Sequence, residues 1–143
     1  MQFAEIAERL AVYSGWTVQA NEKMVEVSVV LPNDRRQKVY IRPIGTLAVQ
    51  GVASEMIEYY SAAVEIPKDQ ALSSLLAYSL LKTNAQMLIG AWGIDQRGES
   101  EFIAVFDTAL LVTLDIEELA AAISVIAAEA DRLEELWAGE DIW

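Results

Sequence analysis

The side chains that could do chemistry in this sequence are Asp, Glu, Tyr, Lys and Ser. There is no His, so the commonest general base and metal ligand is missing. There is no Cys either, which excludes thiolate nucleophiles, thiolate metal sites and disulfides. No Ser stands in a nucleophile-elbow pattern, and no carboxylate pair is identifiable at acid–base spacing. Residues 115–143 hold nine acidic side chains against one basic. On a helix these acids spread around the axis, which reads as a solvated face rather than a converging cation site. Gly90 and Gly93 form a GxxG without the strand-to-helix setting or following Lys-Ser/Thr of a phosphate loop. Such glycines instead mark a place where a backbone or bulky group comes close. The sequence therefore predicts a non-enzymatic protein with no catalytic residue, cofactor or metal.

Two residue groups point to binding. Arg35, Arg36, Lys38 and Arg42 form a basic cluster in a chain of net charge -12. Arg35 and Arg36 are the candidates for docking acidic groups of a partner; the plainer reading is a solvated turn with edge-protecting charge. Trp92, Phe102 and Phe106 could line a small-ligand pocket, although aromatics at alternate strand positions are more often core. The acidic balance argues against nucleic acid as a partner, because phosphate contact needs a positive face.

The elements that must position these groups follow from periodicity. A hydrophobic content of 54% in 143 residues predicts one packed domain, residues 1–143, with no linker. Phe3, Ile6, Ala7, Leu10 and Ser14 share one helical face, and Gly15 is a natural C-cap, so residues 2–14 read as a first helix. From Thr17 the period becomes two. Val25, Val27 and Val29, then Val39 and Ile41, predict half-buried strands joined by the turn Pro32-Asn33-Asp34. Glu55–Ile66 is a third strand, with Gly45 and Gly51 bracketing the connection before it. Pro67 precedes a central helix over 68–84.

That helix carries no charge between Gln70 and Leu81. Leu72, Leu75 and Leu76 share a face, while Ala77, Tyr78, Leu80 and Leu81 point elsewhere. A helix apolar nearly all round needs cover on more than one side. A twofold copy would supply it, which makes Ala77, Tyr78, Leu80 and Leu81 the candidate dimer interface. Beyond it, Met87–Asp95 and Glu101–Val112 predict two more strands around a turn at Gln96–Glu99. Asp115, with Glu118 three residues on, opens a last helix running to about Ala138 and stopping at Gly139. Its heptad-like seam, Leu119, Ile123, Ile126, Ala130, Leu133 and Trp137, is expected to pack on the sheet or first helix, the alternative being pairing with another helix. The tail Glu140–Trp143 is frayed or tucked beneath that helix. The amino terminus lacks a positive signal-peptide region, and no apolar run reaches spanning length, so the expectation is a cytoplasmic protein without membrane insertion.

This α+β layout, an N-terminal helix, an antiparallel meander, a central apolar helix, two more strands and a long C-terminal helix, is α-β-β-β-α-β-β-α. The second half carries Gly90, Asp95 and Gly98, then Leu119, the Ala130-Asp131 pair, Leu133 and Glu134. On these residues the chain resembles the type III secretion chaperone-like fold, including the class I secretion chaperones and the YbjN-like proteins, the latter more closely. The resemblance implies a homodimer built on the central helix and neighbouring strands. It also implies a surface that holds an extended partner segment in apolar grooves. The function expected is a chaperone-like or adaptor protein that binds a partner polypeptide. The alternatives are a structural subunit or assembly factor of a larger complex, and a small-ligand binding protein.

Overall fold

The computed structural model describes residues 1–32 and 34–137. A short 3-10 turn, Phe3–Glu5, leads into α1, Ile6–Ser14. Ile6 and Leu10 are fully buried, one turn apart on the inner face. Gly15 ends the helix in the left-handed region at φ +71°, donating its N–H to Ala11 O at 2.9 Å. Six strands follow: β1, Thr17–Ala20; β2, Val25–Val30; β3, Arg36–Val49; β4, Val52–Ile66; β5, Ala91–Arg97; and β6, Ser100–Leu110. α2, Ser74–Asn84, lies between β4 and β5, and α3, Ile116–Trp137, closes the described chain. The strands form one antiparallel sheet in the order β1-β2-β3-β4-β6-β5.

α1 and α3 cover one face of this sheet. Val25, Val27 and Val29 of β2 point there, with Val39 and Ile41 of β3, Ile57 of β4, and Ile103 and Val105 of β6. Leu119, Ile123, Ile126, Ala130 and Leu133 of α3 pack into the same core. The six-residue seam is thus absorbed within the chain, with Trp137 half-buried against the core. Fully burying each such Val, Leu or Ile side chain contributes roughly 1.5–3 kcal/mol. Asp115 caps α3, accepting from Glu117 N at 2.7 Å. Among the described residues no helix is long and apolar enough to cross a membrane.

The architecture differs from the expected order in three places. Four strands, not three, precede α2. β1 is four residues long with only Val18 half-buried, too short and too exposed to show alternation. β3 and β4 run on past Arg42 to a tight two-residue turn at Gln50-Gly51, so Gly45 lies within β3 at a bulge rather than in a connection. The central helix begins six residues after the expected start. Residues 67–70 make a turn closed by Gln70 N on Pro67 O at 3.0 Å, and Ser73 Oγ caps the helix by accepting from Leu76 N at 3.2 Å. Asn33 of the predicted turn, and Ala138, Gly139 and the tail Glu140–Trp143, lie outside the described residues.

Candidate functional site

α2 buries one stripe and exposes another. Leu76 is buried; Leu80, one turn on, and Leu72, just before the helix cap, pack half-buried against the core. The opposite stripe is Leu75, Tyr78 and Leu81, which are 75%, 61% and 69% exposed. Its polar neighbours are folded back onto the helix: Ser79 Oγ donates to Leu75 O and Thr83 Oγ1 to Ser79 O, each at 2.9 Å. Lys82 is the charged neighbour, its ammonium 5.5 Å from the Tyr78 ring, so the stripe is apolar with one cation at its rim. Beyond its end Leu88 is fully exposed, and on neighbouring β5 Ile94 is about half exposed.

The position of α2 is fixed at its C-terminal end. Asn84 Oδ1 accepts from Trp92 N at 2.6 Å, and Asn84 Nδ2 donates to Trp92 O at 3.1 Å. β5 is the outermost strand, paired with β6 alone. Asn84 thus occupies the free edge of β5 at Trp92 and holds the apolar stripe beside that edge. Gly90, just before β5, lets the chain pass close to β6. A Cβ there would lie 3.1 Å from both Phe106 O and Val105 Cγ1, and a Cβ on Gly93 would meet the Phe106 ring at 3.2 Å.

The predicted interface residues divide. Tyr78 and Leu81 lie on the outer stripe, whereas Ala77 and Leu80 are half-buried on the inner side. Leu75, grouped with the inward residues by sequence, is the most exposed of the stripe. Within the helix the inner face follows the i, i+4 pair Leu76 and Leu80, which carries Leu75 to the outside; Leu72 joins that side from the segment before the cap.

Three of the four cations of the basic cluster are paired inside the molecule. Arg35 Nε donates to Asp131 Oδ1 of α3 at 2.7 Å, with Glu135 at 3.5 Å and Glu134 at 3.9 Å. Burial, and then the neighbouring Asp131, raise the Glu134 carboxyl above its ordinary value. Lys38 pairs with Glu26 at 2.6 Å and Arg42 with Glu58 at 2.6 Å. Arg36 is exposed opposite Val30 and makes no ion pair among the described residues. As a docking pair, then, Arg35 and Arg36 are not equivalent: one is committed to α3 and the other is open.

Trp92, Phe102 and Phe106 do not come together. Trp92 is in the helix-covered core, opposite Val105, whereas Phe106 pairs with Tyr60 on the other face. That second face carries an arrangement the sequence did not signal. The Arg97 guanidinium lies 4.8–5.2 Å from the rings of Tyr60, Tyr40 and Phe102, and Arg97 Nε donates to buried Asp95 at 2.8 Å. Tyr40 stacks on Tyr60 at 5.5 Å, and Arg42 covers Tyr60 from 4.9 Å. Burial is the main cause that raises the Tyr60 phenol above its ordinary range. The charges of this layer neutralise one another, so it acts as a lid on the sheet. Asp95 is held by Arg97, and Asp131 by Arg35. Among the described residues no three acids are placed to hold a metal ion. No protein-family model matches the chain, and no curated protein matches it in sequence.

Proposed function

We propose that this chain is a non-enzymatic, homodimeric protein-binding module of the chaperone-like or adaptor kind, which holds a partner polypeptide in apolar grooves. The observation that carries this reading is the stripe Leu75, Tyr78 and Leu81 on a helix pinned by Asn84 beside the free edge of β5. An apolar stripe on a fixed helix is the form in which helix-in-groove contacts are made. A twofold axis past α2 would set the stripe of one copy against that of the other, hiding apolar area from water without bringing acids together. The helix, sheet and helix layout is in keeping with a secretion chaperone-like fold, as the resemblance implies.

The test is mass in solution. Light scattering of the wild type should give at least twice the 15.8 kDa of one chain, and Tyr78→Asp with Leu81→Asp should lower it at unchanged secondary structure. A mass unaltered by that double change removes the proposed interface.

A further inference from the structure

β3 and β4 continue beyond the body of the sheet as a two-stranded arm. β2 pairs with β3 only as far as Val25 opposite Ile41, and β6 pairs with β4 only from Leu110 opposite Met56. Among the described residues, the outer edge of β3 therefore has no strand partner from Arg42 to Val49. The arm is a formed ribbon. Thr46 pairs with Glu55, Leu47 with Ser54, Ala48 with Ala53 and Val49 with Val52. Its tip is a two-residue loop with Gln50 at φ +51° and Gly51 at φ +82°, the conformation whose twist matches a strand pair.

The chemistry of this arm is unlike that of an edge kept single. From Pro43 to Ser54 there is no charged residue. Ile44, Leu47, Val49 and Val52 are exposed, by 44% to 66%. Edge strands that stay unpaired are usually blunted by charge, Pro or a bulge. Here Pro43 and the bulge at Gly45 protect only the base, and Thr46–Val49 is left bare. Leu47, Val49 and Val52 lie on one side of the ribbon by strand alternation, so a paired edge would also join two apolar surfaces.

We infer that the β3 edge over Thr46–Val49 pairs antiparallel, about a twofold axis, with the same edge of a second copy. An antiparallel strand edge is self-complementary under such an axis. Charge selects the occupant. A basic partner finds no carboxylate on this stretch, and an acidic one finds no cation, so the matching surface is another neutral strand. Two copies, each of net charge -12, could approach here with no carboxylates opposed across the ladder. This contact goes beyond the α2 interface proposed above and lies on other residues. Together the two twofold contacts link dimers through their arms, closing as a tetramer where the two axes meet at right angles.

The pairing surface is small, so association is expected to be weak and concentration-dependent. Wild-type mass should rise from dimer toward tetramer with concentration, and more readily at high salt, which screens the repulsion between bodies. Leu47→Lys with Val49→Lys, at exposed positions, should hold the mass at dimer. Replacing residues 48–53 by an Asn-Gly turn should do the same, and serves if the lysine variant misfolds. Tyr78→Asp with Leu81→Asp should leave a dimer held by the arms, and adding the arm changes should give a monomer. If the α2 variant is monomeric at every concentration, the arm inference is overturned and the α2 reading stands. If only the arm changes lower the mass, the α2 reading fails and the arm inference stands. Hydrogen exchange supplies a separate check: the outward amides of Thr46 and Ala48 should slow with concentration. Rates that do not respond to concentration also overturn it, a foreign strand being then the remaining occupant.

Discussion

Arg35 donates to Asp131 across 96 residues of sequence, at 2.7 Å, tying the start of β3 to the last turns of α3. The partners are unequal, since the Asp131 side chain is 6% exposed and that of Arg35 is 43% exposed. Removing Arg35 leaves a carboxylate buried without its charge partner, and that is the costly half of breaking such a pair. Arg35→Glu should therefore lower the thermal midpoint clearly. Arg36→Glu should leave the stability within about 0.5 kcal/mol of wild type, as for a surface change. Equal behaviour of the two variants in thermal melts would show that the tie bears no load.

Leu80 and Leu81 are adjacent in sequence but opposite in consequence. Leu80→Asp puts a charge against the core and should destabilise the fold, by roughly 2–3 kcal/mol for a half-buried position. Leu81→Asp should change stability by less than about 0.5 kcal/mol in the monomer, while weakening self-association. Urea melts at low protein concentration, alongside light scattering, separate the two effects.

Asn84 serves both backbone groups of Trp92. Asn84→Ala deletes two hydrogen bonds and strands a half-buried N–H, at a cost of about 1–3 kcal/mol. The Trp92 amide should then exchange faster than in wild type, with smaller effects on the amides of α3. Unchanged protection at Trp92 would mean that α2 is held by its leucines alone.

Two acids of α3 should give opposite pH signatures. Glu134 is raised, chiefly by burial and then by Asp131. Its protonated form is favoured by folding, so its contribution is full below the ordinary Glu value and is lost as pH rises through the raised one. Glu134→Gln should accordingly gain stability over wild type at pH 7, and the gain should vanish in acid. Glu129 is lowered by its hydrogen bond from Arg132. Its contribution is present above the ordinary value and is lost as pH falls through the lowered one. Glu129→Gln should lose no more than about 0.5 kcal/mol at pH 7, because the pair is solvent-screened. Melts at pH 7 and pH 3 distinguish the pair by sign.

Periodicity made the two packed helices legible. Ile6 and Leu10, and the seam from Leu119 to Leu133, are spaced so that only one face can be buried, and that face is the one that is. The alternation Val25, Val27, Val29 likewise placed β2. What stayed hidden depends on contacts between distant residues. The Arg35 pairing cannot be read from a local run of cations, because its acids are on another element. Nor can the cover of Tyr60 by Arg97, which requires the strand order to bring β5 to the rim of β6. α2 was half legible: an apolar helix shows that some face is surplus, but tertiary packing chose Leu76 over Leu75 as the inward residue. The arm was obscured by Gly45, which in isolation signals a break and in the sheet makes a bulge.

The turn at Gln50-Gly51 also orders events in time. It closes the β3–β4 ladder through only two residues, whereas β4 cannot meet β6 until the chain from Ile66 to Glu101 has been brought round. Loop closure is cheap for the first and dear for the second. Folding should therefore nucleate at this hairpin, with the β6 pairing and the packing of α3 forming on the later side of the barrier. A slower refolding limb on Gly51→Val, with little change in the unfolding limb, is the kinetic signature of that sequence.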